Sequence, residues 1–174
     1  MDGGLKNIEL MYSLYTVRHR EISLTDLERV ITLKSVAWPY PKDSQMQWMK
    51  DNLKPEDIHV FLQEDGEDVA YLNIAMVKAT INGIITTCAG IGNVCSSRKG
   101  GGKNLMILTN DFITDLNIPG ILFCRDKLVR FYNKYNWFLL RSEQVIFSHL
   151  EEGINTMVYN LDTDCTVVYD DRNF

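Results

Sequence analysis

GNVCSSRKGGGKNLM, Gly92 to Met106, is the stretch on which the fold turns. Three consecutive glycines, Gly100 to Gly102, lie between basic residues and an apolar run. A Walker-type phosphate loop needs G-x-x-x-x-G-K-[ST]. Here Lys103 is followed by Asn104, and Ser97 stands at the leading glycine position, so a nucleotidase loop is rejected. A flexible linker would separate two domains, and neither half of the chain looks like an independent one. The third reading is a strand-to-helix turn whose backbone amides face an anion. Glycine lets a backbone approach a phosphate closely, and the first turn of a helix offers unpaired N–H groups at its positive end. Arg98, Lys99 and Lys103 add charge beside it. A plain structural turn accounts for the same glycines.

Upstream of this turn, residues 58–96 are rich in β-branched and aromatic residues, with hairpin signals at Asp65-Gly66 and Asn82-Gly83. Three antiparallel strands are expected, starting near Ile58, Val69 and Ile84. Before them, Met11 to Val17 alternates like a first strand. Two helices follow it. In the first, Ser23 with Asp26 or Thr25 with Glu28 has capping-box spacing, and Pro39 and Pro41 end it. In the second, Ser44 and Gln47 have that spacing, and Pro55 closes it. Downstream of the glycines, Leu105, Leu108, Phe112, Ile113 and Leu116 fit a helical period. A short buried strand at IPGILFC, a helix over RDKLVRFYNKYNW ending near Asn136, and strands within 138–171 complete the chain. The predicted fold is α/β of the α+β kind: one domain over residues 1–174, with a central mixed, largely antiparallel sheet flanked by about four helices.

Composition narrows the function. The chain has 174 residues, 45% of them hydrophobic, which is enough for a real core without disulfides. A net charge of −5 argues against a nucleic-acid footprint and leaves room for a cationic small substrate. Cys88, Cys95, Cys124 and Cys165 form no CxxC pair and are expected to be buried and reduced. His19, His59 and His149 show no metal-ligand spacing, so no metal site is assigned. No signal-peptide or membrane-spanning run is apparent, and a cytoplasmic location is expected.

Two segments together resemble the GNAT superfamily of N-acetyltransferases. The first is GNVCSSRKGGGKNLM, with Gly100 and Gly102 at the glycine positions of [QR]-x-x-G-x-[GA] and Asn104-Leu105-Met106 at the helix start. The second is ILFCRDKLVRFYNKYNW, Ile121 to Trp137, similar to the family's strand–helix segment ending in F-Y-x-K-x-G-F. Ser97 departs from the family's Gln or Arg; an alternative alignment places Arg98 there, and either way the loop is short. Asn136 replaces a glycine, and Asn tolerates left-handed backbone best after glycine.

The resemblance implies acetyl transfer from acetyl-CoA to a primary amine by direct attack. It implies coenzyme contacts from Val94, Cys95, Ser97, Arg98, Lys99, Gly100, Gly101, Gly102, Lys103 and Asn104, with a backbone amide of the fourth strand at Val94-Cys95 polarising the thioester. It implies Tyr132 as the acid for the leaving thiolate; without the family, Tyr132 reads as a core aromatic. A covalent acyl-Cys95 is not expected. The tail TVVYDDRNF is similar to that of aminoglycoside-type acetyltransferases, which places Asp170, Asp171 and the Phe174 carboxylate near the acceptor; an ordinary polar terminus is the alternative. Trp38, with Tyr40 and Trp48, is expected to wall the acceptor site, or to pack the core. The expected acceptor is a small cationic amine. The rival readings are a catalytically weak GNAT-fold module that binds acyl-CoA or a partner, and a family member acting on a protein amine. Neither a nucleic-acid nor a membrane partner is expected, and the chain is a monomer or homodimer.

Overall fold

The computed structural model describes residues 12–149 and 151–174. The elements run β1 (Tyr12–Arg18), α1 (Leu24–Ala37), α2 (Lys42–Asn52), β2 (Ile58–Glu64), β3 (Glu67–Ile81), β4 (Ile84–Ser96), α3 (Gly101–Asp115), β5 (Gly120–Arg125), α4 (Asp126–Asn133), β6 (Phe138–Leu139), β7 (Val145–Phe147), β8 (Ile154–Tyr159) and β9 (Val167–Tyr169). Short 3-10 turns cover His19–Glu21 and Ser142–Gln144. The strands form one mixed sheet, ordered β1-β2-β3-β4-β5-β8-β6, with β9 added to β3 and β7 to β9. Only β4–β5 and β7–β9 pair in parallel. This is the expected largely antiparallel sheet with four helices.

Local chemistry sets the hairpins. Asp65 and Gly66 have φ of 49° and 86°, and Asn82 and Gly83 have 49° and 82°. Both pairs are thus left-handed throughout, which matches the twist of the strands they join. Ser23 caps α1, its Oγ accepting from Asp26 N at 3.0 Å; Thr25 lies inside the helix. Ser44 does not cap α2, which starts at Lys42 directly after Pro41. The fixed φ of Pro41, −53°, already suits a helix entry. The helix at 126–133 stops three residues before Asn136, which takes φ 64°.

Helices α1 and α2 cover one face of the sheet through Val30, Leu33 and Met49 on Phe61, Tyr71 and Cys95. Helices α3 and α4 cover the other, where Leu105, Met106 and Ile113 meet Leu62, Leu72 and Ile74. Each such fully buried aliphatic stabilises the fold by about 1.5–3 kcal/mol. The buried face of α3 keeps Leu105 and Ile113, with Leu108 and Phe112 packed against the core, and is broader than expected. Leu116 is exposed, and Met106, Thr109 and Asn110 are buried as well. Asn110 earns its place by polar pairing: Nδ2 donates to Tyr135 O at 2.7 Å, and Oδ1 accepts from Trp137 Nε1 at 2.9 Å.

Two features of the sheet position the site. First, β4 and β5 pair only at Ala89–Gly120 and Gly90–Ile121, and beyond these residues they diverge. Second, β4 bulges. Tyr71 opposes Cys95 and Asn73 opposes Gly92, so Asn93 and Val94 together face Leu72, with Asn93 at φ 54°. A bulge of this kind bends its strand and re-aims side chains.

Candidate active site

The bulge gives consecutive residues to two cavities. Val94, Cys95 and Ser96 line a groove of about 230 Å³ with Gly102, Phe131 and Tyr132. Asn93 lines a second cavity of about 430 Å³ with Lys34, Trp38, Tyr40, Gln45 and Trp48.

The glycine turn forms one end of the groove. Gly100 is left-handed at φ 85°, and α3 begins at Gly101. Gly101 packs so tightly on Ser96 that a Cβ there would collide with Ser96 Oγ. That hydroxyl knots the turn: it lies 2.6 Å from Arg98 O and 3.2 Å from Val69 O, and accepts from Arg98 N. Ser97 N and Oγ both donate to Val69 O. The sequence-predicted coenzyme residues thus divide by role. Ser97 anchors the turn to β3, together with Ser96, which the sequence did not single out. Arg98 pairs with Glu64 and Glu67 of the β2–β3 hairpin. Asn104 is half-buried on the first turn of α3. Lys99 and Lys103 are exposed beside the first turn of α3. An acyl-CoA fits this arrangement: the first turn of α3 offers a positive end, and Gly102 leaves the groove floor open down to Phe131.

Tyr132 projects from α4 into the same groove. It is 6% exposed, and its hydroxyl makes no hydrogen bond among the described residues. Burial, aided by Cys124, pushes its phenol up to about 12, so the proton-bearing form is present at all working pH values. Burial likewise pushes the Cys95 thiol up to about 11, despite the nearby Lys34 charge. A thiol held neutral is a poor nucleophile.

The second cavity lies between α1, α2 and β4. Gln45, which the sequence did not single out, braces its wall. Its Nε2 lies within hydrogen-bonding reach of Ser35 Oγ, Trp38 O and Tyr40 O, at 3.0, 3.3 and 3.1 Å. Lys34 also escaped notice, although it stands four residues after Val30 and three after Ile31, on the apolar face of α1, and that spacing was the signal for its burial. It is 6% exposed, and its Nζ sits 4.2 Å from the Trp48 ring centroid. Burial lowers its pKa from the usual lysine range.

The tail crosses the same face of the sheet. Strand β2 leaves β3 after Ile74, and β9 rejoins β3 only at Thr80 and Ile81. The last residues run beside this gap. Asp171 Oδ2 accepts from Lys78 N at 2.8 Å, and Oδ1 accepts from Arg172 N at 2.7 Å. Burial raises the Asp171 carboxyl, but these bonds and nearby cations outweigh it and hold it below its usual value. Arg172 pairs with the buried Asp57 and donates to Asn52 O at 3.0 Å. Asp170 is exposed. The Phe174 ring packs on Phe123 and over Gly90, and its carboxyl carbon lies against Gly92 beside Asn73. Asn73 is fully buried: its Oδ1 accepts from Asn93 Nδ2 at 2.6 Å, while its Nδ2 has no partner among the described residues. The structure therefore brings Tyr132, the glycine turn, Trp38 and Phe174 around the β4 bulge, and turns Arg98 and Asp171 to other partners.

No curated protein matches the sequence. Solved structures do share the fold. YhbS of Escherichia coli, a GNAT family N-acetyltransferase in complex with CoA, superposes with a TM-score of 0.64 at 12% identity, over 92% of this chain and 91% of that one. ElaA of Escherichia coli gives 0.60 at 18% identity, over 86% and 100%. An acyl-CoA N-acyltransferase from Pseudomonas aeruginosa gives 0.59 at 18% identity, over 86% and 99%. The family model described as the acetyltransferase (GNAT) domain matches residues 18–139. That match runs from the end of β1 through the diverging strands and the glycine turn to β6, and on it the chain belongs to the GNAT acetyltransferase family.

Proposed function

We propose that the chain is an N-acetyltransferase that moves the acetyl group of acetyl-CoA to the primary amine of a small acceptor by direct attack. One observation carries this: the β4 bulge makes the groove under the glycine turn and the aromatic cavity under α1 and α2 neighbours, through Asn93 and Val94. Acetyl-CoA, when bound, supplies an acyl group activated as a thioester. The first turn of α3, with Gly102, Lys99 and Lys103 beside it, holds the phosphates. The β4 backbone at Val94 and Cys95 orients the acyl carbonyl. Tyr132 Oη donates a hydrogen bond to sulfur as negative charge develops there, the form of catalysis a high phenol pKa permits. Trp38 and its neighbours seat the acceptor, and the Phe174 carboxyl beside Gly92 draws the amine proton. Asp170 and Asp171 do not line the aromatic cavity. Asp171, bonded to the Lys78 amide, positions the tail.

Arg98 favours a second reading. Its guanidinium is held by Glu64 and Glu67 rather than facing the groove. A module that binds acyl-CoA without turnover would need no more. Calorimetry with acetyl-CoA, followed by thiol release across a panel of primary amines, separates the two. Binding with amine-dependent thiol release is expected. Binding without release for any amine would replace the enzyme with the binding module.

A further inference from the structure

We infer that the acceptor cavity selects an amine bearing a carboxylate on a flat apolar body, and that Lys34 receives the carboxylate. This rests on the acetyltransferase reading and goes beyond it by naming the acceptor class.

Lys34 is the starting point. It lies on the inner face of α1 with 6% exposure and lines the cavity. Among the described residues its ammonium has no hydrogen-bond or ion-pair partner, and it sits over the Trp48 ring face. Burying a cation without an anion is costly, and natural folds pair such groups or leave them exposed. The carboxylates of Asp26, Asp57 and Asp68, on the elements around α1, are already committed. Asp26 and Asp68 hold Arg29, with contacts of 2.6 Å, and Asp57 takes Arg172, Lys54 N and Met76 N. The remaining titratable neighbours do not neutralise it either: Cys95 is a protonated thiol, and His59 is kept neutral by burial and by His19. The Phe174 carboxyl, against Gly92 and beside Asn73 at the Asn93 end, is the group assigned to the acceptor amine, so the anion for Lys34 comes from the ligand.

The rest of the lining fits the rest of such a ligand. Trp38, Tyr40 and Trp48 supply aromatic faces for an apolar body. Gln45 Oε1 is buried without a partner among the described residues, and Asn93 stands at the end of the cavity next to the groove. No carboxylate side chain among the described residues lines the cavity, and the Phe174 carboxyl near its Asn93 end serves one amine, so further cationic groups of a polycationic acceptor meet Lys34 rather than a counter-charge.

The test pairs a binding arm with a turnover arm. Hydrocinnamate and its neutral isostere hydrocinnamamide are titrated into wild type, Lys34→Met and Lys34→Arg by calorimetry. Phenylalanine and phenethylamine are compared as acceptors with acetyl-CoA by thiol release. Wild type should favour the carboxylate member of each pair by about tenfold or more, the scale of a charged hydrogen bond. Lys34→Met should erase that ratio, and Lys34→Arg should keep much of it. Thermal unfolding of each variant checks that it is folded. Failure of wild type to bind hydrocinnamate, or a preference that survives Lys34→Met, overturns the inference. Turnover of phenethylamine as good as that of phenylalanine also overturns it and leaves acyl transfer intact. Lys34-dependent hydrocinnamate binding with no acetyl-CoA binding supports the anion site and overturns the transfer reading.

Discussion

Gly101→Ala should destabilise the protein through a single side chain, Ser96, and removing that side chain should cancel the damage. Gly101 is the first residue of α3 and has ordinary helical backbone, so its own conformation accepts alanine. Its obstacle is Ser96 Oγ, which an added Cβ would strike; the next nearest atoms, Ser96 Cβ and Val69 O, lie at 3.4 and 3.6 Å and tolerate a methyl. Rotating Ser96 away relieves the clash but breaks two hydrogen bonds: the one its single hydroxyl proton shares between Arg98 O and Val69 O, and the one it accepts from Arg98 N. At about 0.5–1.5 kcal/mol for each hydrogen bond, Gly101→Ala should cost about 1–3 kcal/mol. For a domain of this size that lowers Tm by about 2–12 °C. Ser96→Ala alone loses the same bonds and should cost a similar amount, about 1–3 kcal/mol. In the Ser96→Ala background, Gly101→Ala should be neutral or stabilise by about 0.4–1 kcal/mol, because alanine restricts the unfolded chain. Gly100→Ala is the control. Nothing lies within 4 Å of its Cβ position, but its φ of 85° costs a side chain about 1–2 kcal/mol whatever Ser96 does. Thermal unfolding of the six proteins in these two cycles reads the coupling directly. An unchanged Tm for Gly101→Ala, or equal losses with and without Ser96, would refute this account of the turn.

Tyr132→Phe should lower kcat about 10- to 100-fold and leave Tm and acetyl-CoA affinity unchanged, because the lost hydroxyl bonds to no described residue; an unchanged kcat in steady-state assays removes Tyr132 from the reaction. Asp57→Ala leaves the Arg172 guanidinium buried without its anion, at about 3–5 kcal/mol and so a Tm loss of about 6–20 °C. Adding Arg172→Met should restore part of that loss, and a double mutant no better than the single would show that the pair does not hold the tail. His59 is fully buried, bonded to His19 and to the Tyr71 hydroxyl at 3.0 and 2.8 Å, and its pKa is lowered from 6.5 to about 4, by burial first. Below pH 6.5 the unfolded chain binds a proton that the folded one refuses. Stability is therefore full above pH 6.5 and falls as pH drops toward 4, by about 3 kcal/mol in all. Denaturant titrations across that window should show the slope in wild type and a shallower one in His59→Gln.

What could be read from the sequence was local. Asp65-Gly66 and Asn82-Gly83 announce their hairpins because their backbone angles are a property of two residues. Ser23 announces α1 because a cap reaches only three residues ahead. The glycine turn and the FYNKYNW helix are readable for the same reason, and with the order of elements they were enough for the fold. The sites depended on pairings that cross the chain. Arg98 and Asp171 look alike in sequence, as charges beside a motif and in a tail. Only the folded chain gives Arg98 to Glu64 and Glu67, and Asp171 to the Lys78 amide, 93 residues away. Lys34 is one lysine on an amphipathic helix until α2 and β4 close over it and remove water from its ammonium. A contact within a few residues is set by bond geometry and is written in sequence. A contact made by packing depends on every element that packs, and tertiary structure alone decides it.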